Sequence, residues 1–343
     1  MSTENLHIRK QVLSGIQPTG NLHLGRYFGA IRNWVELQEK YDCIYSVVNY
    51  HAMTMPFEPM KLREQTWDVV FDLIAVGVNP DNLFVQSMVP EHTELAWIFN
   101  CVSSYGELQR MTQFKDKSQQ IAESSKDAFI STGLFTYPVL QAADILIYRA
   151  DYVPVGKDQD QHLELSRNIA ARFNNIVGKD YFVLPEPLYT EIPKVMSTAD
   201  PSKKMSASLG PKHFINVFSE PDTIRKQIKT AVTDSGETPS GQLSAGVENL
   251  FSLLAAAGAK DLSNEMRVDA MAGRLQYGKL KDVVGEQIIN HTNSFREKRN
   301  EIGLQKDNYQ QQVSAASERI RKQAQETIKE VKELIGLMNV TSF

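Results

Sequence analysis

The stretch QVLSGIQPTGNLHLGRYFGAIRNWVELQE, residues 11–39, contains the pattern that decides the fold. Its first part, Gln11–Ser14, predicts a buried strand, and the glycine- and proline-rich segment 15–20 predicts a turn directly after it. From about Leu24 to Glu39 the apolar residues recur at a helical spacing, which predicts an amphipathic helix. A glycine-rich turn between a strand and a helix lets the backbone approach a phosphate, because a helix N-terminus favours negative charge.

The rest of the N-terminal half repeats this alternation of strands and helices. Further strands are predicted at Cys43–Val48, Leu83–Gln86 and Tyr152–Val155. Helices are predicted at Met60–Val76, Glu94–Lys117, Tyr137–Tyr148 and Gln159–Arg172, with Pro138 in a first turn, where proline is tolerated. The alternation predicts the α/β class, with a doubly wound, parallel, Rossmann-like sheet. Such sheets bind ligands beyond the carboxyl ends of their strands, which here are the loops after Ser14 and Val155.

The composition changes near residue 210, after which the pattern is helical and no convincing strand follows. We therefore predict two domains, residues 1–212 and residues 213–343, with a polar loop at Asp234–Gln242 in the second. The last predicted helix, Val313–Met338, is a candidate to pack back on the first domain. Its basic segment predicts a solvated helix face, and the alternative of a surface turned toward RNA rests on the family resemblance given below. The basic residues of this stripe are Arg319, Arg321, Lys322, Lys329 and Lys332.

The overall charge of the 343-residue chain narrows the possible partners. Its 37 lysine and arginine residues against 41 aspartate and glutamate residues give a net charge of −4. This excludes a general polyanion binder that works through bulk charge, but it allows a local RNA-binding patch. The two cysteines, Cys43 and Cys101, exclude a disulfide framework and a cysteine-based zinc site. With no apolar signal core and no apolar run of membrane-spanning length, the sequence predicts a soluble, cytoplasmic protein without a membrane partner.

Two short segments are candidates for binding a nucleotide. They are His23–Arg26 (HLGR), at the predicted helix start, and Lys203–Ser208 (KKMSAS), between the predicted domains. An imidazole in the first can donate to phosphate oxygens, and a lysine in the second can stabilise charge that builds up on pyrophosphate. Taken alone, each segment is better explained without a ligand, the first as a capped helix start and the second as a solvated basic linker. The sequence lacks GxGxxG, and Arg26-Tyr27 replaces the Lys-Ser/Thr of a P-loop.

Together the two segments resemble the paired signatures of class I aminoacyl-tRNA synthetases. Longer stretches, in the same order along the chain, resemble the bacterial type of tryptophanyl-tRNA synthetase. They are GIQPTGNLHLGRYFGAI (15–31), VPEHTELAWIFNCVSSYGELQRMTQFKDKS (89–118), YPVLQAADILIYRADYVPVGKDQDQHLELSRNIAARFN (137–174) and DPSKKMSASLG (200–210). The resemblance implies a HUP-type catalytic domain followed by a helical anticodon-binding domain. It also implies that L-tryptophan reacts with ATP to give tryptophanyl-adenylate and pyrophosphate, and is then transferred to tRNA(Trp).

The same resemblance implies ATP as a substrate with Mg²⁺, no protein-bound prosthetic group, no dedicated metal-binding residues, and a homodimer. For catalysis it indicates His23, Lys204 and Lys115. The residues that it implies at ATP are Gln17, Pro18, Thr19, Gly25, Arg26, Gly156, Lys157, Asp158, Val195, Lys204, Met205, Ser206, Ala207 and Ser208.

For the amino acid, the resemblance implies that Asp144 accepts a hydrogen bond from the indole N–H, a group that can only donate. A carboxylate left unpaired by phenylalanine would supply discrimination without editing. The other residues implied around tryptophan are Tyr137, Gln141, Gln159, His51, Val153 and Val155, with Leu13 as a further apolar wall.

Two departures from the family pattern leave alternatives open. Gln141 stands where methionine is usual, and Tyr-x-x-x-Gln-x-x-Asp is the substrate pattern of tyrosyl-tRNA synthetases, so tyrosine is an alternative substrate. Ala207 replaces the second lysine of the usual KMSKS signature, which leaves open a non-catalytic RNA-binding or regulatory paralogue. A further alternative is another nucleotidyl transferase with an HxGx signature that needs no RNA.

Overall fold

The computed structural model describes residues 9–124, 129–156, 160–189, 193–233 and 242–340. Within these ranges five parallel strands form one sheet in the order β3-β2-β1-β4-β5. The strands are β1 (Gln11–Ile16), β2 (Asp42–Val47), β3 (Leu83–Val85), β4 (Tyr152–Pro154) and β5 (Glu186–Leu188). The central strand β1 has β2 on one side and β4 on the other, so the chain crosses over at β1. The predicted α/β class with a doubly wound parallel sheet is confirmed.

Helices surround the sheet, and the first of them follows β1 through the HLGR segment. Here α1 (Leu24–Arg26), a π-helical turn (Tyr27–Ile31) and α2 (Arg32–Leu37) succeed one another where one helix is predicted. The ring of Trp34 stacks on Tyr45 of β2 at 4.5 Å, which fixes α2 against the sheet. The remaining helices of this half are α3 (Asn49–Ala52), α4 (Pro59–Ala75), α5 (Glu91–Val102), α6 (Tyr105–Gln109), α7 (Thr112–Ser124), α8 (Thr132–Leu146) and α9 (Asp160–Val177).

The helical region predicted from Glu94 to about Lys117 is confirmed as helical, and the structure divides it into α5, α6 and α7. Ser103 and Ser104 between α5 and α6 have extended backbone, with ψ of 147° and 124°. Short hydroxyl side chains compete with helical hydrogen bonding and favour such breaks. The break redirects the chain, so that α7 runs beside α8 and reaches the carboxyl side of the sheet.

The position of Pro138 differs from the prediction. Helix α8 begins at Thr132, where the Ser131 hydroxyl accepts from the Leu134 N–H at 3.1 Å and caps the helix. Pro138 therefore lies inside the helix and not in its first turn. A proline there cannot donate to the carbonyl four residues earlier, and this costs helix stability that the buried surroundings of α8 must offset.

Short edge strands and element ends account for the other differences. The sequence does not predict β5, because Pro187 at its centre is a poor strand former, yet proline is tolerated in an edge strand. Gln86, predicted to end a strand, instead begins a 3₁₀ turn, Gln86–Met88.

The C-terminal part is helical, as the sequence pattern predicts. Its helices are α10 (Pro221–Lys229), α11 (Ala245–Ala256), α12 (Lys260–Met271), α13 (Tyr277–Leu304) and α14 (Lys306–Leu334). One hydrophobic cluster contains Ile16 and Val47 of the sheet together with Ile224, Leu250 and Leu280 of these helices. The predicted boundary at residue 212 is thus crossed by a continuous apolar core. Of the helices described, none has the length and hydropathy that crossing a bilayer requires.

The last helix, α14, lies against β3 and α5. Its buried Ile320, Ile328 and Val331 share a hydrophobic cluster with Leu95 and Phe99 of α5. Polar residues of the basic stripe join this contact: Arg319 donates to the Asp81 carbonyl, Arg321 pairs with Glu91, and Lys332 pairs with Glu94. These three basic side chains contact residues of the first 212 positions, and an RNA contact of the stripe stays a prediction.

Candidate active site

Two adjoining cavities open beyond the carboxyl ends of β1 and β4. The first has a volume of about 260 Å³ and the second a volume of about 540 Å³. Their common wall consists of Ser14, Gly15, Gln17, Pro154 and Val155. Because β2 and β4 flank β1 on opposite sides, this is the crossover point of the sheet, where doubly wound folds bind ligands. Both loops that the sequence predicts as ligand sites therefore border the cavities.

A buried carboxylate lies in the wall of the first cavity. Asp144 of α8 is only 6% exposed, because its neighbours in the AADILIY segment are apolar and pack α8 into the core. Its oxygens lie 2.8 Å from His51 Nε2 and 2.5 Å from His92 Nδ1. The amide Nε2 of Gln86 donates to both oxygens at 2.9 Å. These four contacts match the roughly four acceptor sites of a carboxylate, so a donor on a ligand in the cavity would share or replace one of them, such as one of the two contacts from Gln86.

The charge of Asp144 is maintained by its donors. Burial raises the pKa of this carboxyl, but the hydrogen bond from His51, together with the charge and hydrogen bond of His92, outweighs burial and lowers the pKa to about 2. An ionised carboxylate can only accept, so both histidine nitrogens that face it donate. The first cavity therefore presents a fixed, anionic acceptor at neutral pH.

Aromatic and apolar side chains complete the first cavity. Tyr137 lies on α8 with its hydroxyl 2.8 Å from His162 Nε2 and 3.1 Å from Gln113 Oε1, and burial raises its pKa to about 12. His51 meets the edge of the Tyr137 ring at a centroid distance of 6.2 Å. The predicted residues Leu13, His51, Tyr137, Gln141, Asp144, Val153 and Val155 all line this cavity. Such a wall suits a flat aromatic ligand with one hydrogen-bond donor.

The lysine at the first cavity is Lys117 and not Lys115. The ammonium group of Lys117 lies 4.9 Å from the centre of the Tyr137 ring, and burial lowers its pKa. Lys115 is exposed on another face of α7, because two residues correspond to more than half a helical turn. Gln113 and Lys117, four residues apart, share the face that the cavity uses.

The HLGR segment builds one wall of the second cavity. Arg26 donates to the carbonyls of Thr19 at 2.8 Å and Gln17 at 2.9 Å, so its guanidinium holds the turn after β1 in place. Burial lowers the pKa of Arg26 to about 10, and the group stays charged at neutral pH. Of the predicted ATP residues, Gln17, Thr19, Arg26, Gly156 and Lys204 line this cavity.

His23 caps the start of α1. Its Nδ1 accepts from the Arg26 N–H at 3.2 Å, so the proton of the neutral ring is on Nε2. Burial, followed by the charges of Arg26 and Lys204, lowers the pKa of His23 to about 4. A neutral imidazole that donates through Nε2 is therefore the form present at neutral pH.

The two signatures contact each other directly. The Gly25 N–H donates to the sulphur of Met205 at 3.3 Å, and a side chain at position 25 would lie 3.0 Å from the Met205 Cβ. Glycine favours this close approach, because a side chain at position 25 would force Met205 to shift by a few tenths of an ångström. The Met205 N–H in turn donates to the buried Val195 carbonyl at 3.2 Å. Two segments that are distant in the sequence, HLGR and KMSAS, therefore form one unit beside the second cavity.

The remaining predicted residues are placed as follows. Pro18, Val195 and Met205 are buried. Ser206 and Ser208 bond each other through their hydroxyls at 2.8 Å, on either side of Ala207. Some predicted residues line neither cavity in the part of the chain that the structure describes. They are Pro18, His23, Gly25, Lys115, Val195, Met205, Ser206, Ala207 and Ser208. Lys157, Asp158 and Gln159 lie outside the described residues.

The sequence analysis did not predict four residues of the site. Gln113 and Lys117 line the first cavity, and Gln86 and His92 donate to Asp144. His92 and Gln86 have no motif of their own, and they reach Asp144 only because β3 and α5 lie next to α8 in the fold. Lys117 had a signal, since a lysine four residues after Gln113 shares its helix face. Ser46 also lines the first cavity, and its buried hydroxyl has no hydrogen-bond partner among the described residues.

Comparisons with known proteins agree with this geometry. The family model for tRNA synthetases class I (W and Y) matches residues 5–293. The tryptophan–tRNA ligase of Helicobacter pylori is 43% identical over 335 residues, which cover 96% of this chain and 99% of that protein. The tryptophan–tRNA ligase of Caldanaerobacter subterraneus subsp. tengcongensis is 41% identical over 338 residues, with 96% and 99% covered.

Among solved structures, the tryptophanyl-tRNA synthetase from Campylobacter jejuni complexed with ADP and tryptophan is similar with a TM-score of 0.80 and 35% identity. The similarity covers 95% of this chain and 100% of that one. Matches of this extent, together with the joined HLGR and KMSAS segments and the two cavities at the crossover of the sheet, show that the chain belongs to the class I tRNA synthetases of the tryptophan and tyrosine family.

Proposed function

We propose that this protein is a tryptophan–tRNA ligase, which activates L-tryptophan with ATP and transfers it to tRNA(Trp). The observation that carries the proposal is the buried, ionised Asp144 in a small cavity that adjoins a second cavity walled by the HLGR turn and Lys204. The relatives reported above are named as tryptophan–tRNA ligases, and the Campylobacter structure contains tryptophan and ADP. The two cavities are accordingly the sites of tryptophan and ATP.

In the first cavity the indole ring lies against Tyr137 and the apolar ends of β1 and β4, and its N–H donates to Asp144. An indole nitrogen is a donor only, and the ionised carboxylate is an acceptor only, so the pair is complementary. Phenylalanine would leave this buried acceptor unpaired, at a cost of about 1–3 kcal/mol. That cost gives selectivity without an editing site.

ATP occupies the second cavity with its phosphates beside HLGR and KMSAS. An oxygen of the tryptophan carboxylate attacks the α-phosphorus, the bond to the bridging oxygen breaks, and pyrophosphate leaves with the electron pair. No enzyme nucleophile is needed, and positioning with charge stabilisation supplies the acceleration. Neutral His23 donates through Nε2 to a phosphate oxygen, and Lys204 approaches the pyrophosphate as charge builds up on it. Arg26 acts through the turn that it holds.

In the second step a hydroxyl of the terminal tRNA ribose attacks the acyl carbon, and AMP leaves. We assign tRNA binding in part to the helical C-terminal domain, residues 213–343, and ATP recognition to the domain of residues 1–212. On α14, Lys322 and Lys329 remain as basic residues for an RNA contact. Mg²⁺ enters with ATP, because a divalent cation neutralises the charge of the triphosphate.

The proposed assembly is a homodimer. Helix α5 exposes Trp97, with 71% of its surface accessible, and Tyr105 at the start of α6 is 69% exposed. Large exposed aromatic side chains on neighbouring helices are typical of interaction surfaces. Sedimentation equilibrium tests the dimer, and substitution Trp97→Glu should shift it toward the monomer. A cytoplasmic location is proposed because Cys43 and Cys101 are both free thiols.

Tyrosine is the competing amino acid, since Gln141 lines the first cavity and a phenol hydroxyl could also donate to Asp144. Exchange of labelled pyrophosphate into ATP, measured with each amino acid in turn, separates the two substrates. Tryptophan should support exchange, and phenylalanine should not. Exchange with tyrosine and not with tryptophan would overturn the proposal, and no exchange with any amino acid would favour the non-catalytic paralogue.

A further inference from the structure

Two of the three side chains that donate to Asp144 come from one short segment of the chain, and the third is His51 of α3. Gln86 follows β3 and His92 is the second residue of α5, and both are completely buried. His92 also contacts the Tyr148 hydroxyl through Nε2 at 2.8 Å, and Gln86 accepts from the Tyr50 N–H at 3.0 Å. The orientation of the acceptor in the amino-acid cavity thus depends on where residues 86–92 lie.

The C-terminal helix α14 binds both ends of this segment. The Ser317 hydroxyl accepts from the Val85 N–H at 3.4 Å, one residue before Gln86. Arg321 Nε lies 2.9 Å and 3.0 Å from the two oxygens of Glu91, one residue before His92. Gln323 donates to the carbonyl of Tyr148 at 3.1 Å. These contacts of α14 therefore adjoin Gln86, His92 and the tyrosine that binds His92.

The Arg321–Glu91 pair is the strongest of these contacts. The Glu91 side chain is only 8% exposed, and it begins α5. The Arg321 side chain is 39% exposed, so removing it leaves the buried carboxylate of Glu91 without its partner. Without Arg321, the Glu91 carboxylate would turn toward water, and the first turn of α5 would move with it. His92, the next residue, would then lose its alignment with Asp144.

We propose that α14 is a structural component of the amino-acid site and that Arg321 is a positioning residue for tryptophan binding. By holding Glu91, it keeps His92 and hence Asp144 aligned for the indole N–H. The proposal rests on the proposed function, because it assumes that tryptophan is the substrate in the first cavity.

A second ion pair between the same helices provides a matched control. Lys332 Nζ lies 3.0 Å from Glu94 Oε1, also in the first turn of α5. Glu94 is 46% exposed, and its side chain makes no contact with Asp144. Arg321→Met and Lys332→Met therefore each remove one pair that docks α14 on α5, but only the first pair adjoins His92.

The test is pyrophosphate exchange on the full-length protein with tryptophan and with benzothienylalanine, in which sulphur replaces the indole N–H. Arg321→Met should raise the KM for tryptophan by about 3- to 30-fold, the range of mutations that modulate coupling between sites. The KM for the analogue and the KM for ATP should stay within about twofold, since neither depends on the N–H bond to Asp144. Lys332→Met should leave the preference for tryptophan over the analogue unchanged.

Arg321→Lys keeps the charge and should recover most of the preference for tryptophan. If Arg321→Met does not fold, Arg321→Gln, which also removes the charge, takes its place. An unchanged preference in the variant without the charge, or an equal change in Lys332→Met, would overturn the inference. A failure of the proposed function can be told apart from a failure of this inference, because the proposed function is tested by the amino acid that the wild-type protein uses. Wild-type exchange with tyrosine and not tryptophan refutes the function, whereas normal wild-type use of tryptophan with unaltered Arg321 variants refutes only the role of Arg321.

Discussion

Substitution Asp144→Asn is expected to weaken tryptophan binding far more than ATP binding. The carboxylate is buried with a pKa of about 2, and it lines only the first of the two cavities. A hydrogen bond to a charged group contributes about 1.5–3 kcal/mol, against about 1 kcal/mol for a neutral pair. Loss of the charged bond corresponds to a fall of about 10- to 150-fold in tryptophan affinity. The KM for ATP should change by less than about twofold.

Pyrophosphate exchange with tryptophan and benzothienylalanine measures this bond directly. The wild type should prefer tryptophan by roughly the same factor of 10 to 150, because the analogue lacks the donor. In Asp144→Asn the preference should nearly disappear, since the two changes remove the same interaction and are not additive. Asp261→Asn, at an exposed position of α12, serves as the control and should behave as the wild type.

Two results would refute the reasoning. Equal losses for tryptophan and ATP would show that Asp144 supports the fold and does not recognise the substrate. A preference for tryptophan over the analogue that persists in Asp144→Asn would show that another group accepts the indole N–H. Circular dichroism of the variant checks that the helices are retained, since His51, His92 and Gln86 must rearrange around the amide.

Three further predictions concern the ATP side and the cavity lysine. Burial lowers the pKa of His23 from 6.5 to about 4. Between pH 6.5 and pH 4 this histidine is therefore protonated in the unfolded chain but not in the folded one, and the free energy of unfolding should fall as the pH drops through this range. Urea denaturation of His23→Gln should show a weaker pH dependence over the same range. Lys204→Ala should lower the kcat of tryptophan activation with little change in the KM for tryptophan, because the contact strengthens as charge develops; a selective rise in that KM would contradict it. Lys117→Met should reduce the rate of pyrophosphate exchange by about tenfold or more, while Lys115→Met should stay near the wild-type rate. A larger loss in Lys115→Met than in Lys117→Met would show that Lys115 is the functional lysine.

Local patterns predicted the parts of the fold that depend on neighbouring residues. The strand at Gln11–Ser14 and the start of the helix at Leu24 follow from apolar spacing, and the structure reproduces both. The turn predicted over residues 15–20 begins later, because β1 continues through Gly15 to Ile16. The break at Ser103 was missed although the two consecutive serines are a local signal for it. The edge strand around Pro187 was missed because its pairing with β4 outweighs the weak strand preference of proline. Pro138 was misplaced because the true start of α8 depends on the cap at Ser131.

The candidate site likewise contains some residues that local motifs reveal and others that only the fold brings together. Asp144, Tyr137 and the HLGR and KMSAS segments were found because they carry motifs, and the cavities unite them. Gln86 and His92 act only through long-range contacts, so no spacing along the chain could reveal them. For the basic residues of α14, the sequence pattern suggested RNA binding, but Arg321 and Lys332 form ion pairs that hold the helix against α5.

A crystal structure of this protein with bound L-tryptophan would show directly whether Asp144 recognises the indole. We expect the indole ring in the first cavity, beside Tyr137, with its nitrogen about 2.7–3.2 Å from an Asp144 oxygen. An indole nitrogen that faces a different acceptor, or a tryptophan bound outside that cavity, would contradict the central claim.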